Sequence, residues 1–499
     1  MHKQIIWSAL LLWSGLVWAG LRLPAIIGDN MVLQQDADVP IWGWATPGEK
    51  VSVTFGVQKA TAVADAKGKW TARLSGLKAG GPYEMTIEAE RKITLKNILV
   101  GEVWLCSGQS NMKANLGWIS GAAAVAQAND PEIHLFLARM WLSPQPMEDT
   151  QGQWVVCSPQ TVGAFSAVGY YFGRDIQQAL KVPVGLIDTS SGGTTAQTWI
   201  STEAFKGHEN LGGPADLASP RVIAFYERLK AFEQAMDQWQ KDVQEAKAGN
   251  TRPPPQPVSP LVGSGYPPCG TYNAQIAPLL PYAIRGVTWY QGEANTFNPG
   301  RYAALMRLLI ADWRRVFGRP EMPFLFVQLP NFIPDNVPPG AWAALREAQL
   351  QATDVPHVAM VVTIDVGDAK DIHPRNKKPV GQRLALAALD KVYGRKIVSS
   401  GPLYEAMSIE GGRVHLAFRE LGGGLATGDG QELTGFAIAG ADRHFVPAHA
   451  EIQGRGIIVS SDQVPEPKAV RYAWADNPTC NLVNKEGLPA SPFRTDDWR

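Results

Sequence analysis

The strongest constraint on the fold lies between residues 99 and 396, where short apolar runs alternate with segments of helical period. ILVGEVWLCS reads as a buried strand. FSAVGYYFGRDIQQALK (165–181) has helical spacing and leads at once into the apolar run VPVGLID. AIRGVTWY (283–290) predicts a strand and RYAALMRLLIADWRRVF (301–317) an amphipathic helix. MPFLFVQL, then AWAALREAQLQAT (341–353), HVAMVVTID (357–365) and VGQRLALAALDKVY (380–393) continue as strand, helix, strand and helix. A strand without polar alternation must be covered on both faces, and helices between such strands supply the cover. The expected core is therefore α/β, a doubly wound parallel sheet.

The chain has 499 residues, too many for one ordinary core. Residues 20–98 hold short alternating runs (VPIWGWA, KVSVTFG, KWTARL, YEMTIEA) divided by turn signals such as Thr46-Pro47-Gly48. They predict an N-terminal β domain. Residues 397–499 return to the same pattern with RVHLAFREL, LTGFAIAG, GIIVSS and AVRYAWA, a C-terminal β domain. The core domain, 99–396, carries an insertion at about 205–275, in which a charged helical stretch (221–247) precedes the Pro-rich AGNTRPPPQPVSP. Residues 1–19 have a positive start, an apolar middle and a small-x-small ending at Ala19, the pattern of a signal peptide. The mature chain is then expected to be exported, periplasmic or secreted, and free of the membrane.

Lys+Arg and Asp+Glu both number 46. That balance argues against a general polyanion-binding surface, and no nucleic-acid partner is expected. Cys106, Cys157, Cys269 and Cys480 form no CxxC, and Cys106 in its apolar run is expected to be a buried thiol. No HExxH, EF-hand or Cys/His cluster is present, so no metal is expected.

In an open parallel sheet, ligands bind beyond the carboxyl ends of the strands. The first strand ends in Gly108-Gln109-Ser110-Asn111, the second in DTSSGGTTAQTW, the third in Gln291-Gly292-Glu293-Ala294-Asn295 and the last in GDAKDIHP. MPFLFVQL is followed only by Pro330-Asn331. A serine, a glycine pair, an amide and an acid/histidine pair together make a kit for acyl transfer. Ser110 alone reads first as a helix cap. As a nucleophile it would sit beside helix N-terminal N–H groups suited to an oxyanion. Gly192 and Gly193 are turn glycines or, functionally, bare backbone donors, and Asn295 is a turn cap or a side-chain donor. His373 follows the last core strand and is the candidate base. Asp371 is the candidate orienting acid, with Asp365 and Asp368 as rivals. Gln109, Gln291, Glu293 and Trp118 are candidate substrate contacts or supports for the site. Trp118 and Tyr290 are also candidates for stacking on a sugar, against a core role.

GQSNM, the GGT segment, WYQGEAN and DIHP, in this order, resemble the sialate O-acetylesterase family. That family falls in the SGNH hydrolases, named for Ser, Gly, Asn and His in four blocks. LRLPAIIGDNMVLQQDADVPIWGWATPGEKV resembles the family's N-terminal β domain. GFAIAGADRHFVPAHAEI, VRYAWADNP and GLPASPFRTDDW resemble its C-terminal region. The resemblance implies an SGNH-type sheet flanked by β-sandwich-like domains, and a carbohydrate O-acetylesterase that needs no cofactor. Ser110 becomes nucleophile and His373 base, and the Ser110 N–H, Gly193 (Gly192 as rival) and Asn295 form the oxyanion hole. The SGNH pattern places the acid three residues before the histidine. Lys370 stands there, and Asp371 is two before, so a Ser–His dyad with backbone support is the alternative. The implied substrate is an O-acetylated sialic acid or, in the alternative, an acetylated hemicellulose such as xylan or xyloglucan. The rival class is a non-catalytic carbohydrate-binding protein. A lipase-like esterase would show a broad apolar acyl pocket.

Overall fold

The computed structural model describes residues 20–139, 142–213, 220–249, 251–257 and 266–498. The leader at 1–19 lies outside the described residues. The N-terminal part is all β: β1 (Val32–Gln34), β2 (Val39–Trp44), β3 (Lys50–Phe55), β4 (Gln58–Val63), β5 (Lys69–Leu74) and β6 (Gly80–Glu88). The next strand, β7 (Lys92–Gly108), serves two regions. Its first half alternates in exposure and pairs antiparallel with β6, while residues from Ile98 onward are buried without interruption. The position between residues 98 and 99 therefore falls inside a continuous strand. One hydrophobic core runs from Leu21 to Ala388 across it.

The central sheet adds β8 (Asp130–Leu137), β9 (Trp154–Cys157), β10 (Val184–Asp188), β11 (Gly286–Tyr290), β12 (Phe324–Val327) and β13 (Val358–Val361). Its order is β13-β12-β11-β7-β10-β8-β9, parallel throughout except for antiparallel β9 at the edge. β10, β11 and β12 are buried at every residue. The chain fills one side of β7 with β8 and β10, then crosses to fill the other with β11, β12 and β13. β7 is thus the topological switch point, where a crevice opens at the strand ends.

After β7 come the short α1 (Ser110–Lys113) and α2 (Leu116–Gln127), and longer helices cover both faces of the sheet. Trp104 of β7 meets Phe172 of α3 (Ala167–Leu180) edge-on at 5.1 Å. Trp289 of β11 meets Trp313 of α5 (Tyr302–Val316) at 5.8 Å on the opposite face. The register explains the division: Gly286 stands opposite Trp104, so Trp289, three residues on, points the other way. α3 packs closely on α7 (Lys378–Lys391), where a Cβ on Gly381 would lie 2.7 Å from the Val168 carbonyl oxygen. α6 (Ala341–Gln351) accompanies α5. The insertion forms the long helix α4 (Pro220–Ala248), which packs through Phe225, Leu229 and Phe232. Residues after 397 build antiparallel sheets around a separate core from Val414 to Phe493.

All four cysteines are free thiols; Cys106 is buried and pushed up to about 12 by desolvation. No helix among the described residues is long and apolar enough to cross a membrane.

Candidate active site

β7 ends at Gly108, whose backbone (φ +133) presses on β11 so closely that a Cβ would lie 2.1 Å from the Tyr290 carbonyl oxygen. Only glycine fits there. The chain then turns: the Gln109 N–H donates to Tyr290 O at 2.9 Å, and Gln109 occupies the N-cap position of a short helix, Ser110–Lys113. Ser110 is its first helical residue, so the cap position falls one residue before the serine. Its N–H has no preceding turn to accept it.

The segment after β10 folds back on this turn. Ser191 N–H donates to Gly108 O at 3.0 Å. A Cβ on Gly192 would lie 3.7 Å from Ser110 Cβ, which places Gly192 directly across from the serine. Gly193 takes the left-handed backbone (φ +75), and the Tyr266 hydroxyl donates to the Gly192 carbonyl from the insertion side.

The third segment is tied to the first two through its amides. Gln109 Oε1 accepts from the Gly292 and Ala294 N–H groups at 3.4 and 3.2 Å. Gln291 Nε2 donates to Thr194 O at 3.1 Å and to Asn295 Oδ1 at 2.8 Å. Asn295 also accepts from Ala196 N–H (2.9 Å) and donates to Gln197 Oε1 (3.0 Å). Gln109 and Gln291 therefore stitch the loops together. Tyr290 is wholly buried and belongs to the core rather than to a sugar surface. Trp118 is 47% exposed, with its ring edge-on to His373 at 5.8 Å between centroids.

His373 is half-buried, and burial, followed by the charge of Lys377, holds its imidazole below the usual value; Asp371 acts in the opposite sense. The three acids of this loop do different things. Asp365 makes a two-pronged pair with Arg383 at 2.6 Å. Asp368 Oδ1 accepts from the Lys370 and Asp371 N–H groups at 2.8 and 3.2 Å, closing the turn. Asp371 Oδ1 accepts from the His373 N–H at 2.8 Å, which puts this carboxylate beside the histidine.

A cavity of about 630 Å³ gathers Ser110, Gly192, Gly193, Glu293 and His373 at the strand ends. Asn295 is buried and is not itself among the lining residues, although its neighbours in sequence, Ala294 and Thr296, are. The strand end that showed only Pro330-Asn331 in sequence supplies a wall, through Phe332, Pro334 and Val337. That loop is braced from the C-terminal region. Asn331 Nδ2 donates to Asn477 Oδ1 at 2.7 Å, and the Asp476 carboxylate accepts from the Gly340 and Trp342 N–H groups at the start of α6. Two other residues escaped the sequence reading. Asn111 and Lys377 are both buried, Asn111 donating to Glu293 and accepting from Lys377, and a lysine in the run RNKKP carries no local sign of burial.

The family model for carbohydrate esterase, sialic acid-specific acetylesterase, matches residues 100–248 and 271–390, more than half the chain. The rat sialate O-acetylesterase is 30% identical over 425 residues, covering 77% of this chain and 76% of the relative. The mouse sialate O-acetylesterase is 29% identical over 95% of this chain and 94% of its own length. The crystal structure of a carbohydrate acetylesterase from Xanthomonas citri superposes with a TM-score of 0.82 at 36% identity, over 96% of this chain and all of that one. The chain belongs to the carbohydrate esterase, sialic acid-specific acetylesterase family and is a carboxylic-ester hydrolase.

Proposed function

We propose that this protein is a carbohydrate O-acetylesterase of serine mechanism, with Ser110 as nucleophile and His373 as base. The carrying observation is that Ser110, Gly192, Gly193 and His373, from three strand ends, line one cavity at the switch point. Ser110 Oγ attacks the acetyl carbonyl while His373 takes its proton. The tetrahedral oxyanion is held by the Ser110 N–H, the Gly193 N–H (Gly192 as rival) and Asn295 Nδ2. His373 then gives the proton to the departing sugar oxygen. Water, activated in its turn by His373, releases acetate from the acetyl-serine. Asp371 is the orienting acid in this reading, because Asp365 is engaged by Arg383.

In this reading the sheet is of the SGNH type, with an N-terminal β-sandwich-like region (20–98) that shares β7 and the core with it and a C-terminal β-sandwich-like domain (397–499) with its own core, and the leader directs export. A second reading of the sugar comes from the cavity wall. Phe297, Phe332, Val337, Trp342 and Ile372 make it apolar, and its described lining residues include no Lys or Arg. A carboxylate-bearing sugar finds no cation partner among them, which favours a neutral acetylated glycan such as xylan or xyloglucan, and faster release from acetyl than from longer-chain esters separates this reading from the lipase-like class that an apolar wall also fits.

Acetate release by the purified protein tests both readings, with O-acetylated sialic acid, acetylated xylan and acetylated xyloglucan in parallel. Release from one substrate, lost in Ser110→Ala, is expected. Glycan binding without release by the folded wild type would assign the protein to the non-catalytic class.

A further inference from the structure

Lys377 occupies the N-cap position of α7, four residues after His373. Its neighbour Lys378 is exposed, as two consecutive lysines usually are, yet Lys377 turns inward and is 1% exposed. Its Nζ donates to Asn111 Oδ1 at 2.5 Å and lies 5.4 Å from the centre of the Tyr290 ring. Asn111 is also buried, and it is the residue after Ser110. Its Nδ2 donates to Glu293 Oε1 at 2.5 Å and to Ile372 O, the residue before His373, at 2.9 Å. The amide therefore spends both N–H groups and its carbonyl oxygen on joining three strand-end segments. The other Glu293 oxygen, Oε2, is buried without a hydrogen-bond partner.

Burying an ammonium is costly, and an apolar side chain would fill this space more cheaply if packing were the only demand. Desolvation drives Lys377 down to about 7 and pushes the Glu293 carboxyl up, opposed in both by their mutual attraction. Lys377 and Asp371 are the charged groups that act on His373. Arg375, on the same loop, reaches outward toward the Trp118 carbonyl oxygen. The end of β11 and the segment after it contribute Tyr290 and Glu293, and the Ser110 turn contributes the neutral Asn111.

We propose that Lys377 is a positioning residue for the ester hydrolysis. Through Asn111 it locks the Ser110 turn to the His373 loop, and it sets a buried cation on that loop, four residues from the base. This role rests on the assignment of Ser110 and His373.

The test is the pH profile of kcat and KM, by acetate release, for wild type, Lys377→Gln, Lys377→Arg and Ser110→Ala. Glutamine can still donate to Asn111 but carries no charge. Loss of the cation should move the acid limb of kcat/KM upward by about half a pH unit or more. KM should stay within about threefold. Lys377→Arg should keep the limb near its wild-type position. Lys377→Met makes the same measurement should the glutamine variant unfold, and there kcat should also fall roughly tenfold or more as the Asn111 tie is lost. An unmoved acid limb in a folded Lys377→Gln or Lys377→Met, with Ser110→Ala inactive, overturns the role of Lys377 alone. Turnover by Ser110→Ala overturns the serine mechanism, and the role of Lys377 with it.

Discussion

Asn295→Asp separates an oxyanion donor from a structural cap, because the two functions sit on different atoms of the same side chain. Oδ1 is structural: it accepts from Ala196 N–H at 2.9 Å and from Gln291 Nε2 at 2.8 Å. Aspartate keeps this acceptor and so keeps both bonds. Nδ2 donates to Gln197 Oε1 at 3.0 Å and carries the second hydrogen that the oxyanion would use. Aspartate turns this donor into an acceptor. Gln197 can answer by rotating its amide, since its own Nε2 is held only by a long 3.5 Å bond to Leu211 O. Folding should therefore survive, while the transition state loses a donor and gains a nearby negative charge. Loss of one oxyanion donor costs roughly a hundred- to a thousand-fold in rate, about 2.7–4 kcal/mol. Asn295→Ala should lose the same rate and stability as well. It strands two buried N–H groups, those of Ala196 and Gln291, at about 1–3 kcal/mol each. The assay is steady-state acetate release for kcat and KM, beside thermal melting for Tm. A folded Asn295→Asp with wild-type kcat would refute the reasoning and reduce Asn295 to a cap.

The acids of the His373 loop can be told apart in the same way. Asp371→Asn should lower kcat by less than His373→Ala, whereas Asp365→Asn, already paired with Arg383, should leave kcat unchanged. The opposite ranking by acetate release would reassign the acid. The pH profile gives a further check. The base must be neutral, and its folded-state value lies below the ordinary 6.5, so the acid limb of kcat/KM should have its midpoint below about 6.5. A midpoint above that value would contradict a half-buried His373 beside Lys377. Finally, Gly108→Ala should lower Tm and soluble yield, since its Cβ would meet the Tyr290 carbonyl oxygen at 2.1 Å. Overpacking of this kind costs about 1–3 kcal/mol or more. Gly192→Ala, with 3.7 Å of clearance to Ser110 Cβ, should melt like wild type.

The parallel strands from β7 onward were legible in sequence wherever burial on both faces left an unbroken apolar run, as in VPVGLID and MPFLFVQL. The sheet edge was less legible. β9 has four residues and β8 only four buried ones, too few to establish a period. The candidate site was readable as a set of strand endings, because glycine, serine, amide and histidine at such turns leave a local signature. Its walls were not. Phe332, Val337 and Trp342 line the cavity because Asp476 and Asn477, more than a hundred residues away, hold their loop.

By itself, the amino-acid sequence determined the alternation of buried strands and helices outside the sheet edge, the residue types at the strand ends and the family to which they point. These are local properties, set by the spacing of apolar side chains and the backbone demands of turns. Tertiary structure alone decided which of two adjacent lysines is buried, which aspartate is taken by Arg383, and that Asn111 joins three segments. Each of those outcomes depends on a partner that arrives from another strand or helix. The cost of burying a charge or an amide is met by that partner, and no window of neighbouring residues contains it.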